Sequence, residues 1–141
     1  MKTTLSILRG LPLLLAGSLL TLVAVQILVS PQAFYAASGI VPGTDTSLLN
    51  ELKAPALFLL LAGGFMLTAL VRRHLAPAAT WLAVAIYLGF AGSRMISMLT
   101  DGLPSGQLVQ VTALEVIVGL VCVAGLALEY RRKDQPSLAR A

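Results

Sequence analysis

The residues of this sequence that could do chemistry are a few charged side chains near the ends of long apolar segments. Arg94 lies near the end of one segment and Glu115 near the start of the next, with a short turn between them. An ionisable side chain is costly in hydrocarbon, so each of the two is expected to have a partner or a functional role. Positions at similar depth complete a candidate binding site, which we call the polar cluster. Its members are Asn50, Glu51, Lys53, Tyr87, Arg94, Ser97, Asp101, Thr112 and Glu115.

Three interpretations of the polar cluster follow from its chemistry. A guanidinium and a carboxylate can form two parallel hydrogen bonds, and each offsets the desolvation of the other. Arg94 and Glu115 would then be a buried ion pair that holds the bundle together. Alternatively, the cluster is a pocket that opens outward and binds a head group or a small molecule. The third interpretation is a proton path, and the sequence leaves all three open.

The sequence contains no recognisable catalytic spacing. The single histidine, His74, lies in a basic loop, and the single cysteine, Cys122, lies in an apolar run where it reads as a small packing residue. No cysteine, histidine and carboxylate pattern has the spacing of a metal site, and no glycine-rich phosphate loop is present. We therefore expect no metal and no cofactor, assign no catalytic residue, and favour a protein that is not an enzyme.

The composition indicates a membrane protein. Of the 141 residues, 57% are hydrophobic and only 11% are charged, whereas soluble domains carry about 25% charged residues. The net charge of +4 does not indicate nucleic-acid binding, because the basic residues flank apolar runs. We expect one membrane domain, residues 1–141, whose main partner is the lipid bilayer.

Four apolar segments predict an all-α, integral membrane four-helix transmembrane bundle. The predicted spans are about residues 11–29, 54–71, 78–99 and 107–128, followed by a cytoplasmic, disordered tail at 130–141. The first run also resembles the core of a signal peptide, but its length nearly spans a hydrocarbon layer of about 30 Å, which favours a retained helix. Residues 33–37 predict a short interfacial helix, since they include two aromatic residues.

Small residues predict where the helices pack. Gly63 and Gly64 permit close approach of a neighbouring helix, and Thr112, Glu115, Gly119 and Cys122 share one inward face. A second stripe is expected to pack against another helix, and it consists of Ala85, Gly89 and Ser93.

The distribution of basic residues predicts the orientation. Lys53 and Arg94 are the two basic residues on one side, and the other eight lie on the opposite side. The positive-inside rule then places both termini in the cytoplasm and the polar cluster toward the outside.

Three motifs resemble a known family. They are Asn50-Glu51-Leu52-Lys53, Gly92-Ser93-Arg94-Met95-Ile96-Ser97 and Asp101-Gly102-Leu103-Pro104, followed by Glu115. They resemble an uncharacterised bacterial four-helix family of the inner membrane, catalogued as a domain of unknown function and similar in layout to DoxX-like membrane proteins. Lys53 stands where that family tends to have arginine. The resemblance implies the fold, the cluster and a multi-pass location in the bacterial inner (cytoplasmic) membrane, but no activity.

Together these features predict a binding or accessory protein for a lipid-like or small amphiphilic ligand, or for a membrane partner, including a second copy of the chain. One alternative is an intramembrane enzyme, for example an isomerase, with Glu115 or Glu51 as acid and base and Arg94 stabilising charge. Another alternative is an oligomeric transporter.

Overall fold

The fold consists of five α-helices in the computed structural model, which describes residues 2–133. The helices are α1 Lys2–Val29, α2 Pro31–Ala36, α3 Thr46–Val71, α4 Ala76–Thr100 and α5 Gly106–Lys133, with a short 3₁₀ turn at Arg73–Leu75. No strand occurs within the described range. Four segments are long and apolar enough to cross a membrane: Gly10–Val29, Thr46–Val71, Arg73–Thr100 and Gly106–Leu128. The predicted all-α, four-helix membrane bundle is confirmed.

Helix α3 begins earlier than the predicted span at residue 54. Asp45 caps it, and the Asp45 Oδ1 atom accepts a hydrogen bond of 2.7 Å from the backbone N–H of Leu48. A cap of this kind satisfies one of the backbone donors that a helix start leaves unpaired. Pro55 lies inside α3, so the helix continues through it. The polar residues of this first part therefore stand on the same helix as the membrane span.

Helix α5 ends later than predicted. It continues to Lys133, because neither glycine nor proline occurs between residues 126 and 133 to stop it. The predicted disordered tail at 130–141 was therefore wrong at its start, and residues 134–141 lie outside the described part of the chain.

Helix α2 is a short helix at the place where the sequence predicted one. Ser30 breaks the regular backbone after α1 with φ −145° and ψ 73°, and Pro31 occupies the first turn of α2, where its missing N–H costs nothing. The connection that follows is tied to the turn between α4 and α5, since the Ser105 hydroxyl donates to the Ser38 carbonyl at 2.9 Å. These contacts hold α2 over one end of the bundle.

The four long helices form two closely packed pairs, α1 with α3 and α4 with α5. In the first pair the helices cross at Gly17 and Gly63, where a Cβ atom on Gly63 would lie 2.9 Å from the Gly17 carbonyl oxygen. In the second pair the Leu88 side chain occupies the space beside Gly119. Gly63 therefore permits the close approach of a neighbouring helix, as predicted, whereas the space around Gly64 is open.

Small and medium-sized apolar side chains fill the core between the two pairs. Cys122 and Met66 are fully buried, which agrees with a packing role for Cys122. The inward face of α5 is as predicted, because Thr112 and Gly119 are also buried. The stripe of Ala85, Gly89 and Ser93 does not pack against another helix of this chain, since all three residues are exposed. Helix α4 instead turns another face inward, which consists of Ala79, Thr80, Ala83, Ile86, Tyr87 and Ala91.

Candidate functional site

Arg94 and Glu115 are brought into contact by the hairpin of α4 and α5. The two helices are antiparallel, and Gly102 opens the turn between them with a φ of +97°, a conformation that glycine adopts without strain. The Arg94 Nε atom donates to both carboxylate oxygens of Glu115, at 3.1 Å to Oε2 and 3.3 Å to Oε1. The predicted contact between these side chains is present.

The two side chains of the Arg94–Glu115 pair differ in their exposed fractions. The Glu115 side chain is 13% exposed, whereas that of Arg94 is 33% exposed. The carboxylate is therefore largely enclosed by protein, and the Arg94 side chain is the more exposed member of the pair. The ion pair is therefore partly exposed, whereas one interpretation of the sequence expected it to be buried.

The pairing geometry leaves part of Arg94 unused. The guanidinium contacts the carboxylate side-on through Nε, and neither Nη group donates to any residue that the structure describes. Arginine carries five N–H donors in a rigid fork, so the outer face of this fork retains its donors. A group of this kind matches the geometry of a phosphate or a carboxylate.

Tyr35 on α2 lies close enough to Arg94 for the two to interact electrostatically. Burial raises the pKa of the Tyr35 hydroxyl, and the positive charge of Arg94 opposes part of that increase. The Tyr35 ring also packs edge-on against Phe34, with a centroid distance of 5.2 Å. The sequence indicated only that these aromatic residues prefer a membrane interface. That Tyr35 comes within electrostatic range of Arg94 follows from the position of α2 at this end of the bundle.

Three other members of the polar cluster lie at the same end but bond within their own helices. The Ser97 hydroxyl donates to Asp101 Oδ2 at 2.9 Å, and both residues are exposed at the end of α4. The Thr112 hydroxyl donates to the Leu108 carbonyl at 2.9 Å and is buried in α5. None of these three side chains forms a hydrogen bond with Arg94 or Glu115.

Tyr87, a predicted member of the polar cluster, bonds to α1 and not to the Arg94–Glu115 pair. Tyr87 is 5% exposed, and its hydroxyl donates to the Ala16 carbonyl of α1 at 2.8 Å. It shares a face of α4 with Arg94, but the neighbour of that face changes with depth. At Tyr87 the neighbour is α1, and at Arg94 it is α5.

The polar start of α3 also stays apart from the pair. Asn50 and Glu51 are exposed and Lys53 is half-buried. None of the three forms a hydrogen bond or an ion pair with any residue that the structure describes. Similar depth therefore does not bring these side chains to Arg94 and Glu115.

A groove between α1, α2 and α5 opens at the same end of the bundle, and sequence reasoning missed it. It has a volume of about 480 Å³. Its walls include Val25 and Gln26 of α1, Phe34 of α2, and Gln107 and Val111 of α5. Two glutamines near facing helix ends were the available signal, but the groove exists only because α2 covers the gap.

Comparison with known protein families places the chain in one of them. The model of a family described as "Domain of unknown function (DUF4345)" matches residues 8–126. The chain belongs to this family. No curated protein and no solved structure matches the chain.

The DUF4345 match spans every element of the site. It includes Arg94, Glu115, Tyr35 and the groove between α1, α2 and α5. The resemblance that the sequence motifs indicated is thus confirmed at the level of the family. Within the described part of this DUF4345 chain, no group of three His, Cys, Asp or Glu side chains could hold a metal ion. What the site offers chemically is a set of unused arginine donors, with a groove at the same end of the bundle.

Proposed function

We propose that this protein is a membrane binding protein that holds the anionic head of a lipid-like ligand on Arg94. The observation that carries the proposal is the side-on pairing of Arg94 with Glu115, which leaves both Nη groups available. Glu115 then fixes the orientation of the guanidinium, and the free edge of the fork binds the ligand. Hydrogen bonds between charged partners contribute about 1.5–3 kcal/mol each.

The proposed location is the bacterial inner membrane, with both termini and the connection at Arg72 and Arg73 in the cytoplasm. The two-to-eight distribution of basic residues supports this orientation. The site then faces outward, with Arg94 about 9 Å inside the end of α4 by the rise of a helix. Arginine side chains at such depth extend toward the head groups. A lipid can therefore place its anionic group on Arg94 with its chains pointing deeper into the bilayer.

The exposed small-residue stripe on α4 leaves room for a second membrane protein or a second copy of the chain as an additional partner. An accessory role of this kind is compatible with ligand binding. An isomerase mechanism has less support, because Glu115 is already paired with Arg94, and Glu51 lies apart from both.

The test compares two lipids that differ in net charge. The purified full-length protein, in a zwitterionic detergent without sugar groups, is titrated with phosphatidylethanol, which is anionic, and with phosphatidylcholine, which is zwitterionic. Native mass spectrometry counts the bound lipids. Both lipids carry a phosphodiester, but the choline ammonium of phosphatidylcholine cancels its net charge and reduces its attraction to Arg94. We expect the anionic lipid to bind at least about tenfold more tightly, which corresponds to about 1.4 kcal/mol.

Arg94→Gln with Glu115→Gln is the informative variant, because it removes the donor without leaving an unpaired carboxylate. It is expected to lose the preference for the anionic lipid. Arg73→Gln, which removes an exposed arginine from the other end of the bundle, is the matched control and is expected to keep it. An unchanged preference in the double variant would overturn the proposal. Competition by ethyl phosphate, which has no lipid chains, would assign the site to a soluble anion instead of a lipid.

A further inference from the structure

We propose that the groove between α1, α2 and α5 binds the uncharged, hydroxyl-rich part of a lipid head group, such as a glycerol or a sugar. This inference rests on the proposed function, because it assigns a second part of the ligand whose anionic group lies on Arg94. It names the class of lipid as one whose head carries both a negative charge and free hydroxyl groups.

The hydrogen-bonding groups of the groove are neutral. Gln26 and Gln107 stand on opposite walls, and no charged side chain lines the groove. Neither glutamine side chain forms a hydrogen bond with any residue that the structure describes. An amide both donates and accepts, which suits hydroxyl groups because they also do both. A charged group would find no opposite charge here.

The walls of the groove complete this chemistry. Phe34 presents an aromatic ring, and Val25, Val29 and Val111 provide apolar surface. A sugar or glycerol has C–H faces that pack on such surfaces while its hydroxyl groups reach the amides. The volume of about 480 Å³ lies in the usual range for a small-molecule site, about 300–1,000 Å³.

The position of the groove matches the order of groups in a lipid. Val111 lies one helical turn before Glu115 on α5, which places it about 6 Å nearer to the outer end of the bundle. Phe34 in the groove wall precedes Tyr35, which interacts with Arg94. A lipid with its phosphate on Arg94 would therefore extend its outermost groups toward the groove. Its chains would extend the opposite way, into the bilayer.

The experiment separates the hydroxyl groups from the charge. The full-length protein in the same sugar-free detergent is titrated with phosphatidylglycerol and with phosphatidylethanol, which carry the same charge but differ in hydroxyl groups. We expect phosphatidylglycerol to bind about tenfold more tightly, which corresponds to about 1.4 kcal/mol. Gln107→Leu is expected to remove this preference. Gln110→Leu, an exposed position on the same helix outside the groove, is the matched control and is expected to retain it.

A second variant blocks the groove by size. Ala33→Trp places a large side chain in the groove from α2, whereas Ala36→Trp places it on the same helix outside the groove. The first is expected to lose the preference for phosphatidylglycerol and the second to keep it. Equal binding of the two lipids by the wild-type protein, or a preference that survives both Gln107→Leu and Ala33→Trp, would overturn the inference.

The two proposals fail in different ways. If the groove proposal fails, Arg94 still distinguishes phosphatidylethanol from phosphatidylcholine. If the proposed function fails, the protein does not distinguish phosphatidylethanol from phosphatidylcholine. A neutral glucosyl diacylglycerol still competes with phosphatidylglycerol for the groove.

Discussion

Removing either member of the Arg94–Glu115 pair is expected to destabilise the protein, and the two losses should differ in size. Arg94→Gln leaves a carboxylate that is 13% exposed and that has no other cation bonded to it among the described residues. Glu115→Gln leaves a guanidinium that is 33% exposed, and its long side chain can extend toward water and head groups. The arginine variant should therefore be the less stable of the two.

The magnitudes follow from the partial burial. Breaking a fully buried pair costs about 3–5 kcal/mol, whereas exposed pairs contribute about 0.2–1 kcal/mol. Because Glu115 is mostly but not fully buried, the loss of stability in Arg94→Gln should lie between these limits, at about 2 kcal/mol. Screening at the exposed guanidinium reduces the cost of Glu115→Gln to about 1 kcal/mol. The double variant leaves no unpaired charge. Its loss of stability should therefore be about 1 kcal/mol smaller than the sum of the losses in the two single variants.

The assay is equilibrium unfolding of the detergent-solubilised protein by sodium dodecyl sulfate, followed by far-ultraviolet circular dichroism. Wild type, both single variants and the double variant form one thermodynamic cycle. Ser97→Ala serves as a control, since Ser97 lies at the same end of α4 but forms its hydrogen bond with Asp101 and not with the pair. A coupling energy near zero, or a larger loss for Glu115→Gln than for Arg94→Gln, would refute the reasoning.

Three further predictions concern the packing and the orientation. Gly63→Ala should destabilise the bundle by about 1–3 kcal/mol in the same unfolding assay, because its Cβ would press on the Gly17 carbonyl. Gly64→Ala, with open space around it, should be neutral or stabilising, and equal effects would contradict the close crossing. Tyr87→Phe should cost about 1 kcal/mol by leaving the Ala16 carbonyl without its extra donor; unchanged unfolding would show that this hydrogen bond is dispensable. A reporter fused after Gly43 should read as external and one after Ala76 as cytoplasmic, and the opposite readout would reverse the proposed topology.

The contact of Arg94 with Glu115 could be predicted because a short turn and similar depth leave two adjacent antiparallel helices little freedom. Depth alone does not specify which way a side chain points around its helix. Lys53 and Glu51 were predicted to join the polar cluster because of their depth, but neither bonds to Arg94 or Glu115. Tyr87 shows the complementary difficulty. It is seven residues from Arg94 and shares a face of α4 with it, but the sequence does not indicate that α1 crosses that face at the depth of Tyr87.

The groove was harder to predict than the helices that form it. Helix periodicity and hydrophobicity specify each span separately, but the groove depends on where α2 comes to lie. That position is fixed by contacts distant in sequence, among them the hydrogen bond from Ser105 to Ser38. The exposed stripe on α4 illustrates the same limit, since small residues permit close packing without specifying a partner.

The pairing of α1 with α3 and of α4 with α5 bears on how the chain enters the membrane during synthesis. Each pair is formed by spans that are consecutive in sequence, so the first hairpin can pack at Gly17 and Gly63 before the second has left the ribosome. The connection between the hairpins is the short turn at Arg73–Leu75, which stays on the proposed cytoplasmic side. We therefore expect that a gene divided between Arg73 and Ala76 yields two hairpins that insert independently and reassemble into one bundle.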